Sequence, residues 1–261
     1  MQAGVIELSY RGRICRFDGE PAYGLENPGI IYAALLKGRF YEQAFLDYIR
    51  SLQIHGVYVD VGACIGTHSL FFALMCPSTR VYAFEPRDFV FERLEKNIAL
   101  NGQGKKIKAH SWGLSDRTGQ VSVTLDRKRC VLACRRLDDV IEGRVDVMKI
   151  DVEGMEPRVI DGAARTLARW RPLIFAEAGK AHEYEALVAG LARHRYRPSG
   201  RVFNATPTYE FVPERRVSWE RYTDWAKTEL PWLTRRWVRR LARRYPALVA
   251  PVTKRRRRTV R

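Results

Sequence analysis

The 261-residue chain has no run of about 18 apolar residues, the length needed to span a bilayer. It also lacks an N-terminal stretch with a basic start, an apolar run and a small-residue cleavage site, so a cytoplasmic protein is expected, at most peripheral at the inner face of the membrane. Five cysteines, at 15, 64, 76, 130 and 134, are odd in number and fit reduced thiols better than a disulfide framework. Cys130 and Cys134 have no second Cys/His pair at ligand spacing, so no metal site is expected. Residues 235–261 lack acid altogether and hold twelve Lys or Arg; subtracting twelve from the net charge of +17 leaves +5 for the preceding 234 residues. A basic surface spread over the whole molecule is thereby excluded.

With 46% hydrophobic residues, the chain can bury a sizeable core. Residues 4–17 alternate as a short hairpin turned at Arg11-Gly12-Arg13, and a helix is expected from Pro28 through Gly38–Glu42 to Leu52. These residues, 1–54, form a cap. From Val57 short strands alternate with helices: strands at 57–61, 80–84, 106–112, 121–125, 145–150, 173–177, 195–198 and 209–213, helices at 67–75, 89–100, 157–168 and 184–193. That rhythm predicts an α/β fold, a parallel sheet between helical layers, with ligands at the carboxyl ends of the strands.

The first of these strands ends in Asp60 and opens into Gly62-Ala63-Cys64-Ile65-Gly66 before a helix at Thr67. Backbone must pass close to whatever fills such a turn. A dinucleotide needs a third glycine to approach its pyrophosphate, and Cys64 occupies the middle of this turn. S-adenosylmethionine carries an ammonium group, two ribose hydroxyls and no phosphate, so carboxylates should replace the phosphate cradle. Asp60 supplies one; Glu85, 19 residues beyond Gly66, supplies another able to accept two bonds from vicinal hydroxyls. Alternatively Glu85 caps a helix. Trp112-Gly113-Leu114 closes the third strand, where it offers the adenine a stacking or backbone contact, or where Trp112 is plain core.

The segment Lys149-Ile-Asp151-Val-Glu153-Gly154 ends the fourth strand in two carboxylates at the same sheet edge. Methyl transfer to an alcohol requires an aligned acceptor and removal of a hydroxyl proton. Asp151 is the first candidate for that work and Glu153 the second; the bland alternative is that both brace the turn. Glu177, ending the fifth strand, is a candidate acceptor contact, with His68 and His182 as further rim candidates.

Taken together, Gly38-Arg-Phe-Tyr-Glu42, Tyr58-Val-Asp-Val-Gly-Ala-Cys-Ile-Gly66, Phe84-Glu-Pro86, Gly113-Leu-Ser-Asp116, Met148-Lys-Ile-Asp-Val-Glu-Gly154 and Ile174-Phe-Ala-Glu177 resemble the FkbM family of S-adenosylmethionine-dependent methyltransferases, over about residues 30–215. The resemblance implies a Rossmann-like seven-stranded sheet in a three-layer αβα arrangement, its last strand antiparallel, within a domain at 55–216. It also implies O-methylation of a sugar, glycolipid or secondary-metabolite hydroxyl, with Asp60, Gly62, Ala63, Gly66 and Glu85 holding the cofactor and Asp151 and Glu153 lining the acceptor side. The chain departs from the family pattern at Cys64, where Asn is usual, and at Ala178-Gly179, where a His is common.

In the extension, 217–261, arginines at 235, 236, 239, 240, 243 and 244 fall on one half of a helix, and Trp237, Val238, Leu241, Ala242 and Tyr245 on the other. Residues 231–261 could lie on an anionic membrane surface, dock on the domain, or contact nucleic acid. The alternative functions are an RNA methyltransferase recruited by this extension and a non-catalytic binding protein that kept the cofactor fold.

Overall fold

The computed structural model describes residues 4–20, 28–125 and 128–214; the expected basic helix of the extension lies outside the described residues. An antiparallel hairpin, β1 (Val5–Tyr10) and β2 (Arg13–Asp18), is followed by helices α1 (Pro28–Leu36) and α2 (Gln43–Ser51). Then come β3 (Gly56–Val61), α3 (Thr67–Met75), β4 (Ser78–Phe84), α4 (Asp88–Leu100), β5 (Ile107–His110), β6 (Gly113–Leu114), β7 (Gly119–Leu125), β8 (Lys128–Arg135) and α5 (Leu137–Val140). The remainder is β9 (Val147–Ile150), α6 (Glu156–Gly162), α7 (Ala164–Trp170), β10 (Leu173–Glu177), α8 (Ala181–Ala192), β11 (Tyr196–Phe203) and β12 (Thr208–Pro213).

Seven strands form the central sheet in the order β11-β12-β10-β9-β3-β4-β5. The five from β10 to β5 pair in parallel, and β12 runs antiparallel to both its neighbours. The chain lays down β3, β4 and β5 in one direction, then returns to add β9 on the other side of β3. The β3/β9 boundary is therefore the topological switch point, where strand ends diverge and leave room for a ligand. This is the Rossmann-like methyltransferase sheet, as expected.

Alternation along the buried strands divides the interior into two layers. Tyr58, Val81, Val147 and Phe175 pack with α2, α3 and α4, while Val59, Phe84, Met148 and Ile174 pack with α6, α7 and α8. Phe45, Leu46 and Ile49 of α2 and Leu8, Cys15 and Phe17 of the hairpin belong to the first of these layers, so the N-terminal segment shares its core with the sheet. Polar ties fix it further: Asp18 is 3% exposed and pairs with Lys96 at 2.9 Å and with Arg93.

Two expectations are corrected. The helix expected over 28–52 is two helices, because Gly38 adopts φ +70 and Glu42 φ +57, and buried Phe40 turns inward between Tyr10 and Phe71. The helix expected over 157–168 divides into α6 and α7 where Gly162 passes against backbone; a Cβ there would stand 2.0 Å from the Ser115 oxygen. The stretch at 128–135, to which the sequence reading assigned no element, is a strand, β8, joined to β6 and β7 in a separate three-stranded sheet. Among the described residues no helix is long and apolar enough to cross a membrane, and no disulfide joins any of the five cysteines.

Candidate active site

The carboxyl ends of β3, β4, β9 and β10 bring Asp60, Glu85, Asp151 and Glu177 to one edge of the sheet. The turn after β3 is set by space. Gly62 adopts φ +78, and a Cβ on it would lie 1.8 Å from the Asp151 oxygen; Gly66, at φ +88, would press Leu94 at 2.6 Å. The residues between are buried or nearly so, and Ile65 O accepts a 2.8 Å bond from Asn97 Nδ2. Asn97 Oδ1 in turn accepts from Asp18 N at 2.7 Å, so one buried amide ties the turn to the hairpin.

Glu85 is 1% exposed and fully engaged: Oε2 accepts from Cys64 N at 3.0 Å and Arg87 Nη2 at 3.2 Å, while Oε1 accepts from Arg87 N at 3.1 Å and Arg87 Nε at 2.8 Å. Asp60 is wholly buried; Ser69 Oγ donates to its Oδ2 at 2.6 Å. Its other oxygen has the Lys149 ammonium 3.5 Å away and no hydrogen bond of good geometry. Burial pushes this carboxyl upward, against the pull of Lys149.

Lys149 is the residue that sequence reading passed over. It stands in the middle of a strand whose residues are all buried, and a lysine there requires partners. Register supplies them: Lys149 lies opposite Asp60 on β3 and Phe175 on β10, so the period of two directs Asp60, Lys149 and Glu177 to the same face. Its Nζ pairs with Asp151 Oδ2 at 3.1 Å and donates to Gly62 O at 3.0 Å. Burial works against the ammonium, but Asp151, Asp60 and Glu42 together outweigh it and hold the proton more firmly than usual.

The break between α1 and α2 carries Glu42 into this cluster. Burial raises its carboxyl to about 7, with Lys149 opposing and Asp151 adding to the shift. Its Oε2 lies 3.4 Å from His68 Nε2. His68 is buried, and burial followed by the Lys149 charge lowers it to about 3, leaving a neutral imidazole. Burial also raises Glu177, to about 9, helped by Asp151.

The turn after β9 is braced by Glu156, which was not singled out from sequence. Its buried Oε1 accepts from Val152 N at 3.0 Å and Gly154 N at 3.3 Å. Glu156 thus satisfies two amides of this turn, while Asp151 pairs with Lys149 and Glu153 is exposed at φ +56. The structure does not bring His182 into the cluster: its side chain is 77% exposed beside Glu183. Leu114 is 1% exposed within the second core layer, which leaves its backbone alone to meet a ligand. Trp112 packs on that layer with the Arg135 guanidinium 4.1 Å from its ring centre, and Gly113 sits close to Cys134 and Pro86. Among the described residues no group of three or more His, Cys, Asp or Glu is arranged to hold a metal ion.

Comparison with known proteins agrees with this architecture. Residues 60–198 match the Methyltransferase FkbM domain. Methyltransferase sdnD of Sordaria araneosa is 27% identical over 47% of this chain and 67% of its own. A stretch of AMB antimetabolite synthetase AmbE of Pseudomonas aeruginosa is 36% identical over 32% of this chain but only 4% of that protein. Among solved structures, Methyltransferase FkbM of Methylobacillus flagellatus superposes with a TM-score of 0.51 at 21% identity, over 63% of this chain and 46% of that one. Sp1610 of Streptococcus pneumoniae, described as a candidate tRNA (m1A22) methyltransferase, gives 0.50 at 15% identity over 80% and 90%. These two likenesses show the fold. The domain match extends over more than half of the sequence, from Asp60 on β3 into β11, and the chain belongs to the FkbM family of methyltransferases.

Proposed function

We propose that this methyltransferase uses S-adenosylmethionine to methylate a hydroxyl of a sugar, glycolipid or secondary metabolite. The observation that carries the reading is the arrangement of the sheet edge at the switch point. On one side lie a glycine turn and the buried Glu85, on the other Asp151, Glu177 and Glu42, and between them the buried Lys149 ammonium faces both Asp60 and Asp151. The residues present fit the cofactor: the incompletely bonded oxygen of Asp60 suits a cationic donor, and the Glu85 carboxylate suits a diol. The backbone of Trp112-Gly113-Leu114 is assigned to the adenine, and Gly62, Ala63 and Gly66 to the close approach of the turn. When bound, the cofactor supplies an electrophilic methyl group on a sulfonium.

The acceptor side divides its carboxyls by protonation. Glu177, raised to about 9, carries its proton at neutral pH and can donate a hydrogen bond to an acceptor oxygen. Asp151, 3.1 Å from the Lys149 ammonium, is assigned to orient the acceptor hydroxyl and take its proton. Glu153 on the exposed turn lines the acceptor entry. The stretch shared with AmbE, an antimetabolite synthetase, accords with a secondary-metabolite acceptor.

Calorimetric titration with S-adenosylhomocysteine tests the cofactor assignment. Binding by wild type, weakened in Asp60→Ala and Glu85→Ala, is expected; absence of binding to wild type, or undiminished binding by both variants, would overturn it.

A further inference from the structure

Glu85 accepts four hydrogen bonds, and a carboxylate offers about four lone-pair positions. It is therefore saturated. Two of its donors, Cys64 N and Arg87 N, belong to the glycine turn and to the residue that precedes α4, and the backbone holds them in place. The other two, Nε and Nη2 of Arg87, sit on a side chain that is 26% exposed and covers a carboxylate that is 1% exposed. A vicinal diol can gain two bonds to Glu85 only where the guanidinium gives them up.

We infer that Arg87 is a positioning residue that competes with the cofactor's ribose for Glu85. This inference rests on the cofactor reading above. Such competition lowers the affinity for anything that presents a diol to Glu85.

The test is titration of the full chain with S-adenosylhomocysteine, comparing wild type, Arg87→Met and Arg87→Gln. Both Arg87 variants should bind about tenfold more tightly than wild type, the scale of charge-assisted bonds no longer displaced. Their melting temperatures should also rise further on saturation, since Glu85 then gains donors that it lacks alone. Normal wild-type binding with unchanged or weaker binding by both Arg87 variants overturns the inference alone. No binding by any chain removes the cofactor reading together with it.

Discussion

Two turns meet at the same sheet edge and are built on opposite principles. The turn after β3 is defined by what is missing: without a side chain, Gly62 fits against the Asp151 oxygen, and Gly66 fits beneath Leu94. The turn after β9 is defined by charge: Lys149 among Asp60, Asp151 and Glu42, with Glu156 tying the turn's own amides. A steric turn is a local property, because its shape follows from a few consecutive residues. An electrostatic cluster is not, because its members come from α2, α3, β3, β9 and β10.

Removing charge from the second turn should have the largest effect. Lys149→Met strips the ammonium from Asp60 and Asp151 and leaves buried carboxylates unpaired, at a cost of about 3–5 kcal/mol. Denaturant unfolding should register the loss, and Asp60→Asn in the same chain should recover part of it; a fully stable Lys149→Met would show that the cluster does not depend on its cation. Adding one methyl to the first turn comes next. Gly62→Ala meets backbone and a positive φ together, which costs on the order of 3 kcal/mol, lowering the melting temperature by about 10 °C. Near-normal melting would mean that this turn is not steric.

Glu156→Ala leaves two amides of the second turn without their acceptor and should cost about 1–3 kcal/mol, with methyl transfer falling more than stability as Asp151 loses its position. The smallest effect separates the turns by pH. Burial raises Glu42 from 4.5 to about 7, so the folded state binds its proton more tightly than the unfolded chain. Stability from that group is complete below about pH 4.5 and is lost as pH rises through about 7. Glu42→Gln removes the dependence, so the melting temperature of wild type relative to the variant should fall across that interval. Parallel curves would place Glu42 outside the charged cluster, whereas the groups facing it are Lys149, Asp151, Tyr41 and His68.

The same contrast explains what could be read before the structure was known. The strand-turn-helix around Gly62 and Gly66, the acid at Glu85 and the carboxylates ending β9 and β10 were legible, since each is a short pattern at a strand end. Lys149 stood within the Met148–Gly154 motif without an assigned role, and a lysine set between Met148 and Ile150 in an apolar strand was the available signal. Glu42 was hidden by the expectation of one continuous helix. Its entry into the cluster depends on two left-handed residues and on Phe40 turning into an aromatic core formed with the hairpin and α3. Arg87 was hidden because its partner, Glu85, had already been given a different task.

By itself the sequence determined the alternation of strands and helices, the position of the glycine turn and the four acidic strand ends, because periodicity and glycine spacing act over a few residues. Tertiary structure decided which charges face one another: the β3/β9 register sets Lys149 beside Asp60, and the interrupted helix delivers Glu42 to His68. Such pairings depend on how distant segments pack, since the strength of a buried charge interaction is set by separation and burial and by nothing local to either residue.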